Sequence, residues 1–146
     1  MTADPLAYLH AAHAEAQTEA EAARNEAGDA DWYAGDEALH ARNSGQTIVN
    51  GPWGHLDERL GVYLARHDPA AVLRRITAER KQLELHATVP NHGRFSDHNA
   101  CPALCDGEHD DPPVCRSCRN YAGDPIDAPC PTVEILAEGW GWTPDQ

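Results

Sequence analysis

Lysine is nearly missing from this 146-residue chain: Lys81 stands alone beside ten arginines, against 24 acidic residues, for a formal net charge of −13. A surface so short of cations cannot neutralise a run of phosphates, which argues against direct binding of DNA or RNA. Large apolar side chains are scarce too. Leu, Ile, Val and Phe together make up 22 residues and alanine alone 24, so the chain carries material for only a small core. Something besides apolar burial is expected to order part of it. No run approaches the ~18 consecutive apolar residues of a membrane span. The start, Met1-Thr2-Ala3-Asp4-Pro5, lacks the basic-then-apolar pattern of a signal peptide. A cytoplasmic setting is therefore expected. Thiols stay reduced there, and the five cysteines read as metal ligands or reactive groups before disulfides. No glycine cluster precedes a Lys and a Ser or Thr, so a phosphate loop is also absent.

What is present is mainly helical. Asp4-Pro5 supplies an N-cap and a first-turn proline, and Gly28 a stop, which predicts a helix over 5–27. Leu6, Leu9, His13, Ala16, Ala20, Ala23 and Ala27 form a heptad-like stripe along it, suited to packing within the chain or to a homodimer. Nine acidic residues and one basic fall within the first 40 positions, an anionic face that would suit a basic partner. Between Asp31 and Gly51 the period changes, and Asn43-Ser44-Gly45 predicts a short β-hairpin. Leu56, Leu60, Tyr63 and Leu64 mark a short amphipathic helix over 55–66. Asp68-Pro69 repeats the cap signal for a helix that carries Val72, Leu73, Ile76, Arg80 and Leu83 to about His86. Residues 90–130 have almost no apolar periodicity and are expected to be loop-rich and ordered by a cross-link. A last helix is predicted over Pro131–Glu138, stopped by Gly139, with Trp140 and Trp142 packed back or in a tail. The fold class is thus mainly α with a short β-hairpin (α+β), followed by a small loop-rich zinc-binding module. The boundary falls between a helical domain of residues 1–89 and a Cys-rich module of residues 90–146.

The cysteines carry the chemistry. Cys101 and Cys105 are spaced C-x3-C, Cys115 and Cys118 C-x2-C, and Cys130 precedes Pro131 at a predicted helix start. A C-x2-C turn offers two thiolates from one knuckle, half of the tetrahedron a structural zinc needs. A thioredoxin-like use of the same pair would need a βαβ setting, which is missing. Five cysteines for four places leave two arrangements: two knuckles, or Cys115, Cys118 and Cys130 with a fourth ligand from Cys101 or Cys105. The second is favoured, because a helix N-terminus at Cys130 stabilises a thiolate and ties the last helix to the loop. His92, His98 and His109 lie in the same segment as alternative ligands. One zinc per chain in a closed four-ligand site would be structural, so no catalytic residue is assigned. The enzymatic alternative is a metal-dependent hydrolase or nuclease built on His98, His109 and cysteine-bound zinc. Asp97-His98-Asn99 invites that comparison, but neither a strand-then-helix pattern nor a basic groove accompanies it.

Trp53, the segment Leu64-Ala-Arg-His-Asp-Pro-Ala-Ala-Val-Leu-Arg-Arg-Ile76, the knuckle at Cys115 and Cys118, and Pro129-Cys-Pro-Thr132 with Leu136-Ala137 resemble an uncharacterised family. Its members are small proteins of actinobacteria, notably streptomycetes, and of their phages. The resemblance implies a GC-rich bacterial host and a phage or prophage origin, and brings no activity with it. It weakens after Leu136, where the chain runs Ala-Glu-Gly-Trp-Gly-Trp. It makes the helix from Asp68 central, with Arg66, Arg74, Arg75 and Arg80 either pairing with carboxylates or forming a contact surface. The expectation for function is a small acidic zinc-binding protein, non-enzymatic, acting on a host or phage protein of basic character.

Overall fold

A computed structural model describes residues 4–91 and 112–144. They form an α+β fold of four α-helices and two small antiparallel sheets, in two compact units. One comprises Ala11–Ala78, the other Met1–His10 with Glu79–Gln146. Among the described residues no helix is long and apolar enough to cross a membrane.

Helix α1 spans Pro5–Ala27. Its first turn is capped by the Asp4 carboxylate, which accepts from the Leu6 amide at 3.0 Å, and proline at the first position gives up an N–H that would have had no partner. Gly28, at φ 68°, ends it in the left-handed conformation that glycine adopts without steric cost. Every position of the heptad-like stripe is buried or half-buried, from Leu6 to Ala27.

In the Ala11–Ala78 unit, β1 (Trp32–Gly35), β2 (Ala38–Ala41) and β3 (Thr47–Asn50) make a three-stranded meander. The single hairpin expected from the sequence is therefore one of two. The other turn is Asp36-Glu37, at φ 48° and 60°, a conformation that Asn-Gly or Asp-Gly normally announces. Without glycine the turn has no sequence signal. A short 3-10 turn, Pro52–Gly54, leads to α2 (Glu58–Arg66), which packs across β1 and β2. The turn closes tightly, since a Cβ on Gly51 would collide with the His55 carbonyl oxygen. Helix α2 starts later than expected, at an Asp57 cap whose carboxylate accepts from the Leu60 amide at 3.1 Å. Its face is also rotated from the expected one: Gly61 is the buried residue, and Leu60 and Tyr63 are exposed. Glycine allows the helix to approach the Ala34 side chain closely, and that contact decides which face turns inward. Helix α3 (Pro69–Leu85) begins at Asp68, a buried carboxylate that accepts from Ala71 at 2.7 Å and from Trp32 on β1 at 3.1 Å. Leu39, Ala41, Leu56 and Ile76 are buried in this unit.

In the other unit the segment expected to be loop contains a second sheet, β4-β5-β6. Strand β4 (Thr88–Val89) follows α3 closely and pairs antiparallel with β5 (Val114–Arg119), Thr88 opposite Cys115; β5 pairs in turn with β6 (Pro125–Asp127). Strands β4 and β6, of two and three residues, are too short to show alternation, and in the six-residue β5 the buried residues Val114 and Cys115 are adjacent instead of alternating, so the expectation of irregular chain is corrected for residues 114–127. Helix α4 (Pro131–Gly139) begins after Cys130 as expected. Leu9, Leu83, Val133, Ala137 and Trp142 form the core together with Cys115 and Cys130. The two tryptophans after α4 pack back: Trp142 is buried, and the Trp140 indole N–H donates to Glu79 at 2.6 Å.

Candidate metal centre

Three elements deliver one cluster. His86 follows the last residue of α3, with its amide still donating to the Gln82 carbonyl at 3.0 Å. Cys115 and Cys118 lie on β5, whose register against the chain leaving α3 is held by the Arg116 amide donating to Ala87 at 2.9 Å. Cys130 is the N-cap residue of α4, and its carbonyl accepts from Val133 at 2.9 Å. His86 Nδ1 lies 3.6 Å from Cys115 Sγ, 3.3 Å from Cys118 Sγ and 3.5 Å from Cys130 Sγ. One donor atom from each of the four residues falls within 4.8 Å of every other, so the cluster could hold a metal ion. Cys115 and Cys130 are buried, His86 and Cys118 half-buried.

Electrostatics separates the thiols. Burial pushes Cys115 up, but hydrogen bonds from the Cys118 and Ser117 amides, and from His86 and Cys130, outweigh it and bring the group down to about 6. The Cys118 amide sits 3.4 Å from Cys115 Sγ, as a C-x2-C knuckle requires. Cys118 is pushed up to about 11, by burial and by its hydrogen bonds to Cys130 and Cys115 and their charge. Three sulfurs this close repel one another when ionised, and a bound cation is what would let all three be thiolates.

The structure thus brings together Cys115, Cys118 and Cys130, and sets His86 beside them. Cys101 and Cys105, as well as His92, His98 and His109, lie outside the described residues. The spacing argument missed His86 because it is 29 residues before Cys115 and reads as the end of a helix. The available signal was a histidine directly after a helix that stops short of Val89-Pro90, since a side chain there projects from a helix end instead of a helix face.

Fold and cluster define a small acidic α+β protein in which one histidine and three cysteines form a group able to hold a metal ion. A family of unknown function (DUF6221) matches residues 2–145, and the chain belongs to that family. Neither curated proteins nor solved structures give a match.

Proposed function

We propose that the chain binds one structural zinc ion through His86, Cys115, Cys118 and Cys130, and acts without catalysis through contact with another protein. The observation that carries the zinc assignment is the spacing of the donor atoms. Tetrahedral zinc with bonds of about 2.3 Å to sulfur and about 2.0 Å to nitrogen sets N···S separations near 3.5 Å. The three His86 separations, 3.3 to 3.6 Å, bracket that value. One imidazole and three thiolates supply four protein ligands and leave no open position for a reacting water, which favours a structural role. The test is elemental mass spectrometry on protein purified without added metal, with thiol titration before and after chelation. One zinc per chain and thiols masked until chelation are expected. No bound metal and five freely reactive thiols would overturn the assignment.

The contact role is supported by features of the Ala11–Ala78 unit. Trp53 is 97% exposed in the turn that Gly51 closes, an unusual cost for so large an apolar side chain. A cleft of about 690 Å³ beside α2 is lined by Asp36, Glu37, Asp57 and Glu58, with His55 paired to Glu37, and by apolar residues that include Leu56 and Val62. With a chain of net charge −13, these features suit a host or phage protein of basic character, and an accessory role in a phage or prophage follows the sequence resemblance. Complexes with such a protein should weaken as salt is raised; a yield unchanged across a salt series would count against this partner chemistry.

A further inference from the structure

Arg119, the residue after the second knuckle cysteine, is exposed and folds back on the backbone of the knuckle. Its Nη1 donates to three backbone carbonyls of the knuckle: Cys115 at 3.3 Å, Arg116 at 3.2 Å and Cys118 at 2.8 Å. The geometry of the knuckle explains one of these contacts directly. The Ser117 amide is hydrogen-bonded to Cys115, and the carbonyl of that same peptide, belonging to Arg116, is the one Arg119 meets at 3.2 Å. That peptide dipole has its positive end at the Cys115 sulfur and its negative end at the guanidinium, while the other two contacts hold the carbonyls of the two cysteines themselves.

We propose that Arg119 is a positioning residue for the metal centre: it locks the knuckle peptides in the orientation that favours thiolates and supplies the positive charge that the loaded site lacks. The inference rests on the metal-binding reading above. Three thiolates with a divalent cation and a neutral imidazole carry a net charge of −1, and the rest of the chain is strongly acidic. A guanidinium held on the knuckle backbone by three hydrogen bonds offsets part of that charge. All three bonds come from Nη1, whose two hydrogens are shared among three carbonyls, so a lysine ammonium there would keep the charge and some of these contacts but not the fixed plane of the guanidinium.

The experiment uses the full chain and cobalt(II) as the probe, since sulfur-to-cobalt charge-transfer and ligand-field bands report how many thiolates bind and in what geometry. Wild type, Arg119→Gln, Arg119→Lys and Arg116→Gln are titrated with cobalt(II) in competition with a chelator. Arg116→Gln removes a charge from the same knuckle without touching the three contacts made by Arg119. Arg119→Gln should keep the band positions of a tetrahedral three-thiolate site while binding cobalt about 10-fold to 100-fold more weakly, the range typical of an outer-shell partner. Arg119→Lys should recover part of the loss, and Arg116→Gln should stay close to wild type. Equal weakening by Arg116→Gln would reduce the effect to overall charge and overturn the clamp, as would an Arg119→Gln affinity equal to wild type. Wild type that takes up no cobalt at all would instead remove the metal-binding reading, and the clamp with it. If Arg119→Gln lost its fold outright, the Arg119→Lys and Arg116→Gln pair would still decide between clamp and charge.

Discussion

Asp29 shows how a single carboxylate organises the turn after α1. It accepts from the Asn43 amide at 2.7 Å and from the Asp31 amide at 3.2 Å, while its carbonyl accepts from the Trp32 indole at 3.1 Å. The hydrogen bond from Asn43, then that from Asp31, holds the carboxyl below its ordinary value of 3.8, against a smaller opposing effect of burial. A group whose folded pKa is depressed adds stability that is fully present above its unfolded value. That stability disappears as pH falls through the lower folded value. Asp29→Asn should therefore be less stable than wild type at neutral pH, with the gap narrowing from about pH 4 downward. Denaturant unfolding of both proteins across pH 7 to 3 checks this, and a gap that stays constant down to the lowest pH would refute it.

At the scale of elements, caps were the most legible part of the sequence. Asp-Pro pairs placed the starts of α1 and α3 because the cap chemistry is local: a carboxylate, an amide two or three residues on, and a proline that needs no hydrogen bond. Cys130-Pro131 announced α4 through the first-turn proline alone, since Cys130 makes no side-chain cap hydrogen bond, and with it one of the four clustered side chains. Strand pairing was less legible, since β4 and β6 are two and three residues long and the Asp36-Glu37 turn carries no glycine. Their pairing comes from tertiary neighbours, as does the placing of His86, which depends on where α3 stops relative to β5. Asp68 does more than a cap can reveal from sequence, because its second oxygen reaches the Trp32 amide on β1. Asp68→Ala would remove the α3 cap and leave a strand amide without that acceptor, costing about 2 to 3 kcal/mol. Equilibrium urea unfolding should show a lower midpoint at unchanged slope. A loss below about 0.5 kcal/mol would mean that water replaces both contacts.

For the molecule as a whole, the scarcity of large apolar residues has an uneven consequence. The Met1–His10 and Glu79–Gln146 unit draws Cys115 and Cys130 into its core, alongside Leu9, Leu83, Val133, Ala137 and Trp142. Two of the cluster residues are thus core residues as well, and the sheet between α3 and α4 flanks the six-residue β5 with strands of only two and three residues. The Ala11–Ala78 unit contains none of the four clustered residues, and its meander is held by Asp29, Asp68 and the packing of α2. Metal removal should act on the two units differently. Hydrogen exchange measured before and after treatment with a zinc chelator should show protection lost over β4, β5, β6 and the first turn of α4, while amides of β1, β2 and α2 keep theirs. Trp142, buried against Ala137 and its neighbours, should become exposed in the same step and give a red-shifted emission. Equal loss in both units would mean that the chain unfolds as one cooperative body, with the cross-link stabilising all of it. No loss in either would mean that the apolar contacts around Leu9 and Val133 suffice to hold the sheet, and that a metal at His86 and the three cysteines is not what orders it.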